Sequence, residues 1–293
     1  MDQVRLGIIG CGIAARELHW PALKRMTDRF KITAVCNHTE PKARSFSDLV
    51  GGVPWMTDYH ELLARDDVDA VSISLPFHLN LPVARDALEA GKHVILEKPV
   101  ASTHAGADEM RRLAESFPGL TVMVAENFRY RDMYRDLKTR MDRGELGSIY
   151  HIIWNYFFFV DPENNQYAQT AWRMDERYTG GFIVDAGVHC IAVIRDLFGG
   201  FDTGRTLLSR VTPALGPHDT LALQFTMESG VTGGLNLFYS AKGIRANTLH
   251  IFGDDATCIV ARDGFKIIGE DGVRGDVAAD DDMGYYNEFV DFH

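Results

Sequence analysis

Short apolar runs and longer amphipathic stretches alternate regularly along the first 125 residues. The apolar runs are rich in β-branched residues, which predicts buried strands, and the stretches between them have the spacing of helices. The predicted strands cover 4–9, 31–36, 69–75, 93–96 and 121–125, and the predicted helices about 13–26, 41–49, 58–64, 80–90 and 103–116. Strand and helix in succession indicate a parallel sheet covered by helices on both faces.

After about residue 127 the pattern changes. A helix over about 130–143 is followed by the aromatic-rich strand SIYHIIWNYFFFV and by a largely apolar helix at about 181–198. Further strands are predicted at about 204–211, 219–227, 231–239, 246–252 and 256–261. Strands without helices between them favour an antiparallel or mixed sheet. We therefore predict an α/β protein with a first domain over 1–126 and an α+β domain over 127–293.

Composition narrows the function classes. The chain has 293 residues, 46% of them hydrophobic, which is enough for two cores. The formal net charge of −11 argues against binding to nucleic acid or to anionic membranes and favours a small-molecule substrate. The four cysteines are scattered without metal or redox spacing, and the apolar N-terminal stretch is short, so a cytoplasmic protein with reduced thiols is expected.

The first predicted strand runs into a glycine loop, Gly10-Cys11-Gly12-Ile13-Ala14-Ala15. In such a loop the first glycine allows a tight turn, the second lets a pyrophosphate approach the backbone, and a small third residue lets the helix pack on the strand. The following helix N-terminus favours phosphate. Because the loop opens a strand–helix–strand unit, we predict a Rossmann-type dinucleotide-binding domain.

The second strand ends in Asn37-His38, where NAD-binding proteins usually carry an acidic residue that repels a 2′-phosphate. The missing charge favours NADP over NAD, with Lys42 or Arg44 as phosphate ligands. An NAD enzyme with a neutral residue at this position is the alternative.

Two sequence features carry candidate chemistry. Glu97 and Lys98 follow a buried strand and precede Pro99, so Lys98 is either a solvated turn residue or a site residue at the carboxyl end of the sheet. Asp185 and His189 are four residues apart on an apolar helix, so they share one face and form either a structural hydrogen-bonded pair or a site. A third metal ligand at suitable spacing is missing, so no metal is expected.

Taken together, the chain resembles the glucose-fructose oxidoreductase / inositol dehydrogenase family (Gfo/Idh/MocA). The motifs that carry the resemblance are the glycine loop, Glu97-Lys98-Pro99, Asn127-Phe128-Arg129, Trp172-Arg173, and the segment from Gly180-Gly181 through Asp185 and His189. The family implies a Rossmann domain followed by an α+β domain with a large, mainly antiparallel open sheet. It also implies hydride transfer between NAD(P) and a secondary alcohol or ketone of a sugar, inositol or related polyol.

The resemblance implies roles for individual residues. His189 would be the general acid/base, and Lys98 would stabilise charge on the reacting oxygen. Asp185 would anchor the substrate or relay protons beside His189, and Arg173 would line the sugar pocket. The implied cofactor contacts come from Gly10, Gly12, Ile13, Ala14, Ala15, Asn37, His38, Leu75, Pro76, His78, Glu97, Lys98 and Asn127. A homodimer or homotetramer would form through the C-terminal sheet.

The sequence departs from the family pattern in three places. Asn37 replaces the usual acidic residue, Pro76-Phe77-His78-Leu79-Asn80 stands where Pro-Asn-x-x-His is common, and in relatives the last helix looks longer than the one ending at His293. The chain's true C-terminus is therefore expected to extend further. Two other functions stay open on this scaffold: a glycoside hydrolase that retains its NAD, and a nonenzymatic dinucleotide or metabolite sensor.

Overall fold

A computed structural model gives the fold of residues 3–170, 172, 180–279 and 282–293. The chain forms two compact units. The first contains Met1–Asn127 together with Gly284–His293, and the second contains Phe128–Met283. Arg173, for which the family resemblance implies a role in the sugar pocket, lies outside the described residues.

The first unit is built on a six-stranded parallel sheet with the order β3-β2-β1-β4-β5-β6. The strands are β1 Val4–Ile9, β2 Phe30–Cys36, β3 Trp55–Met56, β4 Ala70–Ile73, β5 His93–Glu97 and β6 Val122–Ala125. The helices are α1 Trp20–Leu23, α2 Glu40–Leu49, α3 Tyr59–Leu63, α4 Asn80–Glu89 and α5 His104–Ser116. The predicted Rossmann-type sheet is confirmed, and the carboxyl ends of its strands share one edge.

Alternate residues of β1 point to opposite faces of this sheet. Leu6 and Ile8 belong to the apolar cluster on one face, and Ile9 belongs to the cluster on the other. All three are at most 2% exposed. The strands are therefore buried on both faces, which explains their continuous apolar runs.

The last helix, α8 Tyr285–Phe292, packs within the first unit rather than with the residues that precede it. Phe289 is fully buried, and its ring lies edge-on to Phe30 at 5.8 Å. Phe292 stacks on Phe30 with ring centroids 6.4 Å apart. The sequence-based division assigned everything after residue 126 to one domain, because periodicity shows that this helix has an apolar face but not which core buries it.

The second unit contains an eight-stranded sheet with the order β14-β13-β12-β11-β7-β10-β9-β8. β7 and β10 pair in parallel, and the other pairs are antiparallel, as predicted. The strands are β7 Ile149–Phe157, β8 Phe201–Ser209, β9 Thr220–Met227, β10 Thr232–Phe238, β11 Ala246–Gly253, β12 Ala256–Ala261, β13 Gly264–Gly269 and β14 Gly272–Ala278. The sequence did not predict β13 and β14, which each begin with glycine, a residue disfavoured in strands.

Two helices, α6 Asp132–Asp142 and α7 Gly181–Phe198, share the apolar core with one face of this sheet. Trp154 and Ile152 of β7 point into that core, whereas the alternate residues Ile153 and Asn155 lie on the other face. In the described part of the chain, the helices are too short or too polar to cross a membrane.

Candidate active site

The glycine loop connects β1 to a π-helical turn, Ala14–His19, that continues into α1. Gly10 has a φ of +99°, and a Cβ there would collide with the carbonyl oxygen of Ser74. A Cβ built on Gly12, in contrast, meets no described atom within 4 Å. Open space beside Gly12 and a following helical turn fit the approach of a dinucleotide pyrophosphate.

Asn37, at the end of β2, contacts the glycine loop. Its side chain is 7% exposed, and its Oδ1 accepts a hydrogen bond from the N–H of Cys11 at 3.1 Å. Its Nδ2 donates to the carbonyl oxygen of Thr39 at 3.2 Å. The amide therefore ties the loop to the second strand, and His38 beside it is exposed.

The guanidinium of Arg16, in the π-helical turn after the glycine loop, contacts α2. Arg16 donates from Nη2 to Oγ of Ser45 at 3.2 Å, and its guanidinium carbon lies 5.6 Å from the ring centroid of Phe46. Arg44, which the sequence proposes as a phosphate ligand, lies over Trp55 at 5.8 Å. Sequence reasoning missed Arg16, although its position directly after the glycine loop was a usable signal.

Lys98 follows β5 at the carboxyl edge of the parallel sheet and is half-buried. Its backbone N–H donates to Oε2 of Glu97 at 3.1 Å, and the peptide bond to Pro99 is cis. The other carboxylate oxygen, Oε1, lies 2.9 Å from Nε2 of the buried His19. The carboxylate of Glu97 therefore links the backbone of Lys98 to the helical segment after the glycine loop.

Asn80 is the second polar contact at this edge. It is the first residue of α4 and is fully buried. Its Nδ2 donates to the carbonyl oxygens of Glu97, at 2.8 Å, and of Pro99, at 3.0 Å. The loop that leads to α4 contains three residues for which the family resemblance implies cofactor contacts: Leu75, Pro76 and His78.

Helix α7 holds the second group of candidate residues, in the second unit. It begins at Gly181, whose φ of +46° favours glycine, and a Cβ there would approach Cδ of Pro217 at 2.9 Å. Asp185 is 6% exposed and His189 is half-buried, one helical turn further. The ring of Phe128 stacks on the imidazole of His189 with centroids 4.4 Å apart and planes 17° apart.

An aromatic cluster surrounds the start of α7. Tyr239 is fully buried, and its ring lies 5.3 Å from Phe182, 6.1 Å from Tyr156 and 5.1 Å from Phe158. Burial raises the pKa of Tyr239 well above its usual value, and nearby negative charge, including that of Asp185, adds to the effect. The phenol is therefore neutral near pH 7, so it can donate a hydrogen bond but cannot act as a base.

The predicted residues belong to both units and are described within each unit. The carboxyl edge of the first unit brings together the glycine loop, Asn37, the loop after β4, Glu97 and Lys98, and α7 of the second unit carries Asp185 and His189. Asn127, another predicted cofactor residue, is 2% exposed. Sequence reasoning missed His19, Asn80 and Tyr239, because isolated polar residues in apolar segments give no spacing signal. Within the described residues, no cluster of three or more candidate metal ligands occurs.

Comparison with known proteins agrees with this architecture. Residues 4–126 match the model of an oxidoreductase family with an NAD-binding Rossmann fold, and residues 134–259 match the GFO/IDH/MocA C-terminal domain. An uncharacterized protein of Saccharomyces cerevisiae is 30% identical over the whole chain and 87% of its own length. The D-apiose dehydrogenase of Paraburkholderia graminis is 27% identical over 93% of this chain and 72% of its own.

Two solved structures extend the comparison. An oxidoreductase from Thermotoga maritima superposes with a TM-score of 0.92 at 36% identity, over 99% of this chain and 87% of its own. A mutant 3-ketoreductase from Actinomadura kijaniata, in complex with TDP-benzene and NADP, has a TM-score of 0.83 at 25% identity, over 99% of this chain and 89% of its own. With both domains matched in order, the chain belongs to the Gfo/Idh/MocA family of NAD(P)-binding oxidoreductases.

Proposed function

We propose that the protein transfers a hydride between NADP and a secondary alcohol or ketone of a sugar or related polyol, with Lys98, Asp185 and His189 at the reacting centre. The observation that carries this proposal is the position of Lys98, at the same sheet edge as the glycine loop and fixed through its own N–H. Ligands of a doubly wound sheet bind at that edge. A sugar-oxidising relative and an NADP-bound ketoreductase support the choice of substrate class.

In the oxidation direction, the substrate carbon loses a hydride and its hydroxyl loses a proton. The nicotinamide ring of bound NADP supplies the hydride acceptor. His189 takes the proton, because histidine is the side chain that most often serves as a general base. The ammonium of Lys98 stabilises negative charge that develops on the oxygen. Asp185 accepts a hydrogen bond from a neighbouring hydroxyl of the substrate.

The preference for NADP rests on charge at the end of β2. Asn37 is neutral and its amide contacts the glycine loop, so no carboxylate at this position repels a 2′-phosphate. Arg16 supplies a positive charge on the first helical turn after the loop and reaches Ser45 of α2. We assign the phosphate contact to Arg16 rather than to Arg44, which pairs with Glu40 at 3.7 Å.

The face of the eight-stranded sheet opposite α6 and α7 is the surface through which we propose a homodimer or homotetramer. It contains a depression of about 720 Å³ whose lining includes Ile153, Thr226 and Asn236, and on the same sheet the rings of Phe157 and Phe238 stack at 4.7 Å. Light scattering will test this assembly, and a monomer at micromolar concentration would contradict it.

We further propose a cytoplasmic location, which agrees with four buried free cysteines.

The experiment that tests the function has two stages. NADPH and NADH are titrated by fluorescence, and a panel of D-apiose, D-glucose, D-xylose, myo-inositol and dTDP-glucose is then screened for a change in nicotinamide absorbance. We expect NADPH to bind more tightly and at least one compound to be turned over.

The second stage separates binding from catalysis. Lys98→Met and His189→Asn are expected to lower turnover at least about a hundredfold, while NADPH still binds and thermal stability stays near that of the wild type. Full activity of either variant would remove that residue from the mechanism. Absence of dinucleotide binding at millimolar concentration would overturn the proposal as a whole.

A further inference from the structure

Asn80 makes an unusual pair of contacts on either side of Lys98. The two hydrogens of its single Nδ2 group reach the carbonyl oxygens of Glu97 and Pro99, at 2.8 and 3.0 Å. An amide NH₂ has two donors, so both bonds form at once. A single side chain therefore holds the backbone both before and after Lys98.

The support for Asn80 is rigid. Asn80 is fully buried and is the first residue of α4. Further along this helix, Val83, Ala84 and Ala87 lie in the core of the first unit. Through its amide, the packed helix α4 therefore fixes the positions of Glu97 and Pro99, the two residues that flank Lys98. His19 holds the same segment differently, through the side chain of Glu97.

We propose that Asn80 is a positioning residue for Lys98: it fixes the backbone on both sides of the lysine so that the ammonium occupies one place at the reacting oxygen. This inference rests on the proposed function of Lys98. The lysine stem has four rotatable carbon–carbon bonds, and displacement of its Cα adds directly to the spread of the ammonium. A shift of about 1 Å at a reacting group lowers rates by as much as about a hundredfold.

The variants are Asn80→Ala, which removes both bonds, and Asn80→Ser, which keeps one donor. The matched control is Lys92→Met, since Nζ of Lys92 also donates to two backbone carbonyls in the first unit, those of Arg65 and Val68, at 2.9 and 2.8 Å. We expect Asn80→Ala to lower kcat about 10- to 100-fold, Asn80→Ser to lower it less, and Lys92→Met to leave it within twofold. The KM for NADP⁺ should stay within twofold in all three.

Turnover is measured with the compound of the panel that the wild type converts fastest. Hydrogen exchange of the peptide over 94–101 gives a second readout that needs no substrate. Exchange in this peptide should be faster in Asn80→Ala than in Lys92→Met or the wild type. Asn80→Ser provides the same comparison if the alanine variant does not fold.

A double-mutant cycle with Lys98→Met separates positioning from general destabilisation. If Asn80 acts through Lys98, Asn80→Ala will have no further effect on kcat in the Lys98→Met background. An equal loss in both backgrounds, or wild-type kcat and exchange in Asn80→Ala, would overturn the positioning role while leaving the proposed function intact. Wild-type turnover by Lys98→Met itself would remove Lys98 from the proposed mechanism, and this inference would fail with it.

Discussion

The imidazole of His19 and the carboxylate of Glu97 are joined by a buried hydrogen bond of 2.9 Å between Nε2 and Oε1. The other ring nitrogen lies 3.4 Å from the hydroxyls of Ser72 and Ser74. With its proton on Nε2, the imidazole donates to Glu97, and the single lone pair of Nδ1 accepts a hydrogen bond from one of the two hydroxyls at a time. The pair therefore orients the carboxylate that receives the N–H of Lys98.

Replacement of His19 by leucine is expected to destabilise the protein by about 2 kcal/mol, because the buried carboxylate of Glu97 loses a donor. His19→Gln retains a side-chain N–H and should lose less. Urea unfolding measures both, with an unchanged m-value showing that the exposed surface is the same. Equal stability of His19→Leu and the wild type would show that the hydrogen bond contributes nothing to folding.

The two loop glycines should respond differently to alanine. Gly10→Ala is expected to destabilise the fold, because its φ is +99° and the new Cβ collides with Ser74. Gly12→Ala should fold normally, since its Cβ enters open space, but should weaken NADPH binding at least about tenfold by occupying the pyrophosphate site. Thermal unfolding and NADPH fluorescence distinguish the two effects. Unchanged NADPH affinity in Gly12→Ala would place the pyrophosphate elsewhere.

Much of the fold could be predicted from periodicity. The central strands of the first unit, such as β1 and β5, are continuous apolar runs because helices cover both faces, and their predicted bounds agree within a residue. The attachment of α8 to the first unit could not be predicted. Its apolar face fits any core, and only the tertiary position of Phe30 decides which one buries it.

Some residues of the candidate site could also be predicted from the sequence, and others could not. Lys98 and the glycine loop could be found from sequence because strand ends and glycine spacing are local signals. Asn80 and His19 could not, because their partners Glu97 and Pro99 are distant in sequence and their contacts depend on the packed sheet. Such buried polar residues become interpretable only once their hydrogen-bond partners are known.

Cofactor preference should depend on Arg16. Arg16→Gln removes the positive charge beside Ser45 and is expected to weaken NADPH binding about tenfold or more, because charge-assisted contacts to phosphate are among the strong hydrogen bonds. NADH lacks the 2′-phosphate, so its affinity should change less than twofold. Arg44→Gln is the matched control on α2 and should affect neither nucleotide. Equal weakening of NADPH and NADH by Arg16→Gln would contradict this assignment.

Acid stability should depend on Asp219, which is fully buried in the second unit. Burial alone would raise its pKa, but hydrogen bonds from Ser240, Thr220 and the N–H groups of Val211 and Thr212 bring the pKa below its usual 3.8. Since the pKa is lower in the folded state, this stabilisation is present above pH 3.8 and is lost as the pH falls through the folded value.

Asp219→Asn tests this linkage. The amide cannot accept all of these bonds, so the variant should be less stable near neutral pH, by about 2 kcal/mol. Its stability should also fall less steeply than that of the wild type on acidification below the usual aspartate range. Melting temperatures across an acidic pH series measure both effects, and parallel curves for the two proteins would contradict the linkage.

Stacking by Phe128 should orient the imidazole of His189 within the second unit. The two rings are 4.4 Å apart and nearly parallel, and Phe128 is 9% exposed. Phe128→Leu keeps apolar volume but removes the flat surface, so the imidazole gains rotational freedom and kcat should fall about tenfold, since proton transfer needs hydrogen-bond geometry. Phe128→Tyr keeps the ring and should stay within twofold of the wild type. If catalysis requires the stacked ring, the loss will appear in kcat while NADPH affinity stays constant. A Phe128→Leu enzyme with wild-type kcat would show that helix α7 alone orients His189.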